Sequence, residues 1–357
     1  MSGGVDSSVT AALLHQEGYD VVGITMKTWD YAASGGSKKE TGCCSLDSIN
    51  DARQLAVKLG FPHFILDLRE EFGESVINNF VEEYIAGRTP NPCVMCNTHI
   101  KWEALLRRAD KLECAFIATG HYAKIRTEGG RRVISRGLDL NKDQSYVLWG
   151  VHQDCLQRTI FPVGGYHKAE IRQIARDLGF ESLAQKAESY EICFIPDNDY
   201  RGFLKRRTPE RVEALAGGVI VDRSGRQLGT HDGYPFYTIG QRKGLPALGE
   251  PFYVAEIHPE TNTLVIDREA GVMHKRIRVR GVNLGKYDSL PEGGMALITK
   301  IRYKDPGSAS HVRRVGPHRV EIIFDEPVKA ATPGQSAVFY EGEDVVGGGW
   351  IDEVFPD

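Results

Sequence analysis

The sequence has 357 residues, of which 41% are hydrophobic and 26% are charged, with a formal net charge of −4 at pH 7. That length allows two or three domains, and the composition is typical of a globular protein rather than a fibrous or disordered one. No apolar run approaches the roughly 20 residues that span a bilayer, and no basic-then-apolar leader opens the chain, so we expect a cytoplasmic protein without membrane association.

Basic residues are unevenly distributed, although the net charge itself does not indicate a nucleic-acid-binding protein. Three basic clusters lie at 205–207, 275–280 and 300–319. Each cluster alone is as typical of a solvated face as of a binding surface. Because all three follow residue 200, they favour contact with a polyanion in the C-terminal half.

The first eight residues read Met-Ser-Gly-Gly-Val-Asp-Ser-Ser, and an amphipathic run follows them directly. Gly3 and Gly4 allow the backbone to turn so that successive N–H groups converge on one anion. Hydroxyl donors and the partial positive charge of a helix N-terminus add to that site. The spacing is not that of the Walker loop, which carries its own lysine. The segment therefore predicts a loop for the pyrophosphate end of ATP.

Helical and strand patterns alternate through the first 120 residues. We predict helices at 9–17, 48–59, 71–86 and 99–112, and strands at 19–26, 64–66 and 115–118. This alternation predicts an α/β fold with a parallel sheet and helices on both faces, and ligands at the carboxyl ends of the strands. The N-terminal loop, Met26 and Gly120 are therefore expected to meet at one edge.

The pattern changes after predicted helices at 168–178 and 200–207. Runs at 252–257 and 263–267 flank a turn and predict a hairpin, and alternating runs recur from residue 275 onward. About six short strands with Gly and Pro turns predict a small β-barrel. We expect three domains, namely a catalytic ATP-binding domain at 1–200, a small central mixed domain at 201–272 and a C-terminal β-barrel at 273–357.

Seven cysteines, an odd number, argue against a disulfide framework. Cys93 and Cys96 stand in Pro-Asn-Pro-Cys-Val-Met-Cys-Asn, and Cys193 lies in Glu-Ile-Cys-Phe. We predict a helix that begins at Asn97 or Thr98, which would place Cys96 at its N-terminus and lower the pKa of that thiol. Half a zinc site, a redox pair and three ligands of an iron–sulfur cluster all stay open as interpretations.

Six motifs occur in a fixed order along the chain, and together they carry a family resemblance. They are the N-terminal loop, the Pro-Asn-Pro-Cys-x-x-Cys-Asn segment, Ala-Thr-Gly-His-Tyr at 118–122, Lys-Asp-Gln-Ser at 142–145, Glu-Ile-Cys-Phe at 191–194 and Tyr-Thr-Ile-Gly-Gln-Arg-Lys-Gly at 237–244. With them the chain resembles the tRNA-specific 2-thiouridylases, which belong to the PP-loop ATP pyrophosphatases, nearly from end to end.

The resemblance implies that this chain binds ATP with Mg²⁺, whose natural carboxylate ligand is Asp6. The implied ATP-binding residues are Met1, Ser2, Gly3, Gly4, Val5, Asp6, Ser7, Ser8, Met26 and Gly120. It implies two catalytic cysteines, with persulfide sulfur carried on Cys193 and Cys96 as the partner nucleophile. Thiol–disulfide exchange supports direct attack by the persulfide as well as release of hydrosulfide.

The resemblance also implies contact with the anticodon arm of tRNA and with a protein that donates or relays persulfide sulfur. The implied target-base and tRNA contacts are Asn91, Pro92, Cys93, His121, Lys142, Asp143, Gln144, Arg302, Tyr303 and Gln335. A monomer is expected. Another PP-loop enzyme, one that modifies tRNA or forms amides through an adenylate, is the alternative function.

Three features depart from the family pattern or stay outside it. Many members carry aspartate where this chain has Cys93, which makes Cys93, Cys96 and Cys193 candidate iron–sulfur ligands. Cys43 and Cys44 have no role that we can derive. Relatives also carry about ten residues before the loop, and these form a strand. We therefore expect an upstream start codon that encodes a short strand rich in Val and Ile.

Overall fold

The computed structural model describes residues 1–29, 45–186 and 192–356. The chain divides into two compact units, each built from more than one segment. The first comprises residues 1–77, 93–199 and 343–345, and the second comprises 78–92, 200–342 and 346–357.

The first unit contains two pairs of parallel strands. Its strands are β1 (Gly23–Lys27), β2 (His63–Asp67), β3 (Ile117–Ala118), β4 (Ala123–Glu128), β5 (Arg131–Arg136) and β6 (Thr159–Ile160). β1 pairs with β2 and β3 with β6, both in parallel, as the alternating pattern predicts. β4 and β5 form an antiparallel hairpin that the sequence analysis does not predict.

Helices connect these strands, and the α/β class is confirmed. The α-helical segments are Val5–Gln16, Leu46–Leu59, Arg69–Phe72, Pro92–Met95, Leu105–Lys111, Gln153–Leu156, Lys168–Asp177 and Glu181–Gln185. Two π-helical stretches (Gly73–Asn78 and Cys96–Ala104) and two 3₁₀ turns (Ser145–Val147 and Pro162–Gly165) complete the set. Ser45 caps the second helix through the Ser48 N–H at 3.2 Å, and Gly60 ends it in the left-handed region.

The helix that carries the paired cysteines starts earlier than the sequence predicts. Helical structure begins at Pro92 and continues as a π-helical stretch from Cys96. The expected start at Asn97 or Thr98 is therefore wrong, because proline fits the first position of a helix, where no N–H partner is needed. Cys93 occupies the first turn instead, and Cys96 lies beyond it, where the field of the helix terminus has largely decayed.

A small apolar core fixes the N-terminal helix against the Lys168–Asp177 helix. Val5 and Val9 pack with Tyr122 and with Ile171 of the second helix, and all four are buried. Because both helices start beside this core, it sets the distance between their first turns.

The second unit begins with short helices and a four-stranded sheet. Its helices are Asn79–Ile85, Tyr200–Arg207 and Pro209–Glu213, with 3₁₀ turns at Tyr234–Phe236, Pro259–Thr261 and Glu269–Val272. The strands β7 (Gly218–Val221), β8 (Gln227–His231), β9 (Tyr253–His258) and β10 (Thr263–Asp267) lie in the order β8-β7-β10-β9. β9 and β10 pair in antiparallel fashion, which confirms the predicted hairpin.

Six strands then close into the predicted β-barrel. They are β11 (Met273–Leu284), β12 (Met295–Lys300), β13 (Ser308–Gly316), β14 (Arg319–Lys329), β15 (Ser336–Glu341) and β16 (Asp344–Phe355). The strand order is β11-β14-β13-β12-β15-β16, and β11 also pairs with β16. Side chains such as Ile277, Val312 and Phe339 fill the interior and are fully buried.

Within the ranges that the structure describes, no helix is both long enough and apolar enough to cross a membrane.

Candidate active site

The N-terminal loop ends in a helix whose first turn has no side-chain cap. Gly4 is the N-cap residue, in extended conformation, and it makes no side-chain cap bond. Ser7 Oγ accepts from the Ser2 N–H at 3.0 Å and donates to the Gly4 carbonyl at 3.2 Å, so the loop is closed on itself. The first N–H groups of such a helix have no partner within the helix and favour an anion.

Two glycines of the predicted ATP site are required by close packing. Gly3 has φ +66°, and a Cβ there would lie 2.1 Å from the Ser48 carbonyl oxygen. A Cβ on Gly120 would lie 2.8 Å from the backbone of both Asp6 and Ser7. The predicted meeting of the loop with Gly120 is therefore observed. Met26 lies half-buried in β1.

Asp6 is held by two groups that come from distant parts of the chain. Lys168 Nζ donates to its two carboxylate oxygens at 2.6 and 2.7 Å, and Tyr122 Oη donates to Oδ1 at 2.6 Å. The Lys168 side chain is 11% exposed and that of Asp6 is 31% exposed. A partly buried, doubly hydrogen-bonded ion pair of this kind is stronger than a surface pair.

A second lysine fixes the other side of the loop. Lys186 Nζ donates to the Gly3 carbonyl at 2.9 Å, to Ser48 Oγ at 3.2 Å and to Asp51 Oδ2 at 2.9 Å. Three donors meet three acceptors, so this ammonium group ties the loop to the Leu46–Leu59 helix.

The two cysteines of the Cys-x-x-Cys segment differ in environment. Cys93 is exposed and Cys96 is half-buried. Burial by surrounding protein atoms nevertheless raises the pKa of the Cys93 thiol, and the charge of Lys101 opposes that rise. The raised pKa lowers the fraction of thiolate, the reactive form, at Cys93.

His121 is buried, at 6% exposure, beside the same lysine. Lys101 Nζ lies 3.4 Å from His121 Nε2, and Thr119 Oγ1 lies 2.8 Å from Nδ1. An ammonium group can only donate, so Nε2 is the acceptor and the proton of the neutral ring resides on Nδ1. Burial first, and then the charge of Lys101, lower the pKa of His121 well below its ordinary value.

Replacing His121 should reduce the loss of folding stability that the protein undergoes as the pH falls below about 6.5. The folded-state pKa lies below the unfolded value of 6.5, so the unfolded chain takes up the proton first. The contribution of neutral His121 is complete above about pH 6.5 and is lost below it, by up to about 1.4 kcal/mol per pH unit. His121→Asn keeps a donor for Thr119, and its unfolding midpoint should fall less than the parent's between about pH 7.5 and about pH 5. Equal slopes for the two proteins would contradict the assignment.

Cys193 lies at the tip of a turn whose other residues are anchored. The Ile195 N–H donates to the Ile192 carbonyl at 2.8 Å, which closes a turn around Cys193 and Phe194. Cys193 is exposed, whereas Phe194 is 2% exposed and packs edge-on against Phe72 with ring centroids 5.7 Å apart. The thiol is thus presented to solvent from a fixed backbone, in the same unit as Cys96.

In the second unit, the segment that precedes the cysteines is held by Gln335, a predicted tRNA contact, and by Thr238 of the 237–244 motif. Gln335 Nε2 donates to the carbonyls of Thr89 and Pro90, both at 3.1 Å. The Thr89 N–H donates to the Pro333 carbonyl at 2.9 Å, and Thr89 Oγ1 donates to Thr238 Oγ1 at 3.1 Å. The structure therefore brings Gln335 to the residues just before half-buried Asn91 and buried Pro92.

The remaining predicted tRNA contacts fall into two groups. Asp143 accepts from the Gly137 and Ser145 N–H groups, both at 3.1 Å, and Gln144 Oε1 accepts from the Tyr122 N–H at 3.0 Å, so both also shape the loop beside Tyr122. Lys142 is half-buried. In the second unit, Arg302 and Tyr303 are exposed.

Sequence reasoning missed the three lysines of this site. Lys101, Lys168 and Lys186 lie outside the quoted motifs, and the hydrogen-bond partners described above are at least 20 positions away in the sequence. Only Tyr122 had a signal, because it ends the 118–122 motif. Across residues 1–29, 45–186 and 192–356, no group of three or more His, Cys, Asp or Glu side chains is arranged to hold a metal. Cys43 and Cys44 lie outside the described residues.

The first unit combines an α/β fold with a glycine-rich loop at an uncapped helix N-terminus, and it carries Cys96 and Cys193. A β-barrel follows later in the chain. This combination is typical of a nucleotide-binding enzyme of the HUP class. The family model described as "tRNA methyl transferase HUP domain" matches residues 1–197. Models described as "tRNA methyl transferase PRC-barrel domain" and "Aminomethyltransferase beta-barrel domain" match residues 201–268 and 275–351.

Curated relatives cover nearly the whole chain. Proteins named tRNA-specific 2-thiouridylase MnmA from Cytophaga hutchinsonii and Amoebophilus asiaticus are each 60% identical to this chain over 99% of its length. The matched regions make up 96% and 94% of those two proteins, respectively. The protein of that name from Salinibacter ruber is 57% identical over 99% of this chain and 93% of its own length. The chain therefore belongs to the family of tRNA-specific 2-thiouridylases, and membership implies the use of ATP.

Proposed function

We propose that this chain replaces the C2 oxygen of the wobble uridine of tRNA with sulfur, at the expense of ATP. The observation that carries the proposal is the combination, in one unit, of an uncapped phosphate-binding helix with the exposed thiol of Cys193 and the half-buried thiol of Cys96. The thiols favour sulfur transfer over the methyl transfer named in two model descriptions. The names of the relatives support the same reaction.

The first step is adenylation of the base. The uridine C2 oxygen attacks the α-phosphorus of ATP, a new O–P bond forms, and the α–β phosphoanhydride bond breaks with its electron pair on pyrophosphate. The N3 proton of the base leaves to solvent. The product carries AMP on the former carbonyl oxygen, which turns a poor leaving group into a good one. In this step the N-terminal loop positions the phosphates.

The second step transfers sulfur. A persulfide donor delivers sulfane sulfur to Cys193, and attack of that sulfur on C2 expels AMP. Cys96 then attacks the inner sulfur of Cys193, or it does so earlier and liberates hydrosulfide as the attacking species. Both routes end in a Cys96–Cys193 disulfide, so a dithiol reductant must reset the enzyme after each turnover.

We assign Mg²⁺, rather than an iron–sulfur cluster, as the inorganic cofactor. One carboxylate together with substrate phosphates is a common Mg²⁺ ligand set, and Asp6 in the first helical turn fits it. Cys93, Cys96 and Cys193 all lie within the described part of the chain, where no three of the His, Cys, Asp and Glu side chains are arranged to hold a metal ion. We therefore derive no step through a cluster. Protein treated with a chelator and then assayed with fresh Mg²⁺ and ATP should thiolate tRNA fully. Loss of thiolation after this treatment, together with visible absorbance of anaerobically purified protein, would contradict the assignment.

The target base must leave the anticodon stack to reach the thiols, as in other base-modifying enzymes. We propose that Asn91, Pro92 and Cys93 contact the flipped base. His121, Lys142, Asp143, Gln144 and Gln335 would contact the tRNA. Arg302 and Tyr303 would bind the anticodon arm, since an exposed arginine next to an aromatic ring suits phosphate contact and base stacking.

The three-domain organisation at 1–200, 201–272 and 273–357 stays part of the proposal. The matches at 1–197, 201–268 and 275–351 support these boundaries. We further propose that the enzyme works as a cytoplasmic monomer that receives sulfur from a persulfide donor or relay protein.

The proposed activity is tested by incubating the protein with unmodified tRNA, Mg·ATP and a small-molecule persulfide, followed by mass analysis of the wobble nucleoside. We expect 2-thiouridine, in amounts matched by AMP and pyrophosphate. An ATP analogue with a non-cleavable α–β bridge is the control and should give none. Unchanged uridine, with AMP formed on another acceptor, would contradict the proposal and favour the alternative PP-loop chemistry.

A further inference from the structure

Lys168 forms an ion pair with Asp6, the acidic residue in the first turn of the N-terminal helix. Its ammonium group contacts both oxygens of Asp6, at 2.6 and 2.7 Å. Its backbone is fixed as well, because Lys168 begins the Lys168–Asp177 helix and its N–H donates to Asp139 Oδ2 at 3.1 Å. The cation is therefore held in place before any nucleotide arrives.

Binding of ATP at this turn sets up a charge conflict that a cation must resolve. The triphosphate is strongly anionic, and Asp6, the second residue of the helix, places a carboxylate beside it. In a partly buried site two such anions repel each other strongly. Mg²⁺ bound to Asp6 would neutralise the carboxylate and remove the reason for Lys168 to remain paired with it.

We propose that Lys168 binds the pyrophosphate portion of ATP once Mg²⁺ takes over Asp6, and stabilises pyrophosphate as the leaving group. This inference rests on the adenylation step proposed above. As the α–β phosphoanhydride bond breaks, negative charge develops on the β-phosphate, and the ammonium group offsets that charge without giving up its proton. An ammonium group is a common ligand for phosphate oxygens. Walker loops place such a lysine within the motif, whereas here it comes from another helix.

The other lysine of the loop is less suited to this role. Lys186 bonds a backbone carbonyl, a hydroxyl and a carboxylate at the same time, so its three donors are engaged in holding the loop. The two bonds from Lys168 to Asp6, by contrast, run to a single carboxylate that a divalent cation can take over.

Pyrophosphate binding and pyrophosphate–ATP exchange test the inference in Lys168→Gln and Lys168→Arg. Calorimetry with inorganic pyrophosphate and Mg²⁺ needs no turnover, and we expect affinity to fall at least about 10-fold in Lys168→Gln. Isotope exchange with tRNA, but without a sulfur donor, should fall about 100-fold or more, and Lys168→Arg should recover part of both. Lys124→Gln, which breaks an exposed 3.2 Å pair with Glu343 in the same unit, is the matched control and should match the parent.

A purely structural role, in which Lys168 only neutralises Asp6, makes different predictions. The Asp6→Asn variant lacks the carboxylate charge that Lys168 would neutralise. If the role of Lys168 is purely structural, adding Lys168→Gln to Asp6→Asn leaves the pyrophosphate affinity unchanged, and that result would overturn the inference. We expect instead a further loss of affinity in the double variant. This comparison also covers the case in which Lys168→Gln alone fails to fold. If the parent protein binds pyrophosphate but catalyses no tRNA-dependent exchange, the proposed function fails and not the assignment of Lys168.

Discussion

Cys193→Ala should abolish thiolation of tRNA while leaving ATP-dependent adenylation of the base measurable. The exposed thiol is the proposed carrier of sulfane sulfur, whereas the N-terminal loop proposed to bind ATP does not include it. The side chain lies on the surface, so its removal leaves no cavity in the core, and Phe194 still anchors the turn. Mass analysis of the wobble nucleoside and of adenylated tRNA measures the two steps separately.

Two further variants make this result specific. Cys114→Ala removes a thiol from an exposed turn of the same unit, where Sγ lies 3.6 Å from the Leu112 carbonyl, and should match the parent in both steps. Cys96→Ala should still acquire the mass of one sulfur atom from a small persulfide, while Cys193→Ala should not. Thiolation that survives in Cys193→Ala would refute the persulfide role of this residue, whatever its level of adenylation.

The sequence predicts those parts of the site that depend on local backbone chemistry. The Gly-Gly loop, the closely packed Gly120 and the turn around Cys193 each leave a signal within a few residues. The predicted start of the cysteine helix, at Asn97 or Thr98, is wrong because Pro92 is the first residue of the helix. As a consequence Cys93, rather than Cys96, lies in the first turn.

The parts that the sequence could not predict depend on residues that meet only after folding. Asp6 and Lys168 are 162 positions apart, and no local pattern marks them as partners. The close packing of β16 against β11 is likewise visible only in the folded structure, at Gly347 and Gly349. A Cβ at Gly347 would lie 2.4 Å from the Asn283 carbonyl oxygen, and one at Gly349 would lie 2.6 Å from Val279 Cγ1. These glycines reflect a close approach of β11 and not a loop.

Gly3→Ala should destabilise the ATP site more than any other single methyl group that can be added to the loop. Gly3 has φ +66°, and its new Cβ would lie 2.1 Å from the Ser48 carbonyl oxygen. Roughly 1–2 kcal/mol for the left-handed backbone and about 1–3 kcal/mol for the overlap give a loss of about 2–5 kcal/mol. The loop must then shift away from the Leu46–Leu59 helix and from Lys186, which donates to the Gly3 carbonyl. ATP affinity, measured by calorimetry, should fall at least about 10-fold, because displaced N–H groups no longer converge on the phosphates.

Gly4→Ala is the matched control, since it adds the same methyl group to the adjacent glycine. Gly4 has φ −91°, which an alanine readily adopts, and a Cβ there meets only Ser2 Oγ, at 3.4 Å. Its thermal unfolding midpoint should therefore remain near that of the parent, while that of Gly3→Ala falls. If Gly3→Ala keeps both the unfolding midpoint and the ATP affinity of the parent, the loop does not depend on its contact with Ser48. If Gly4→Ala alone loses ATP affinity while it keeps its unfolding midpoint, the phosphates approach the loop at Gly4. The loss then comes from a clash with the ligand and not from destabilisation of the fold.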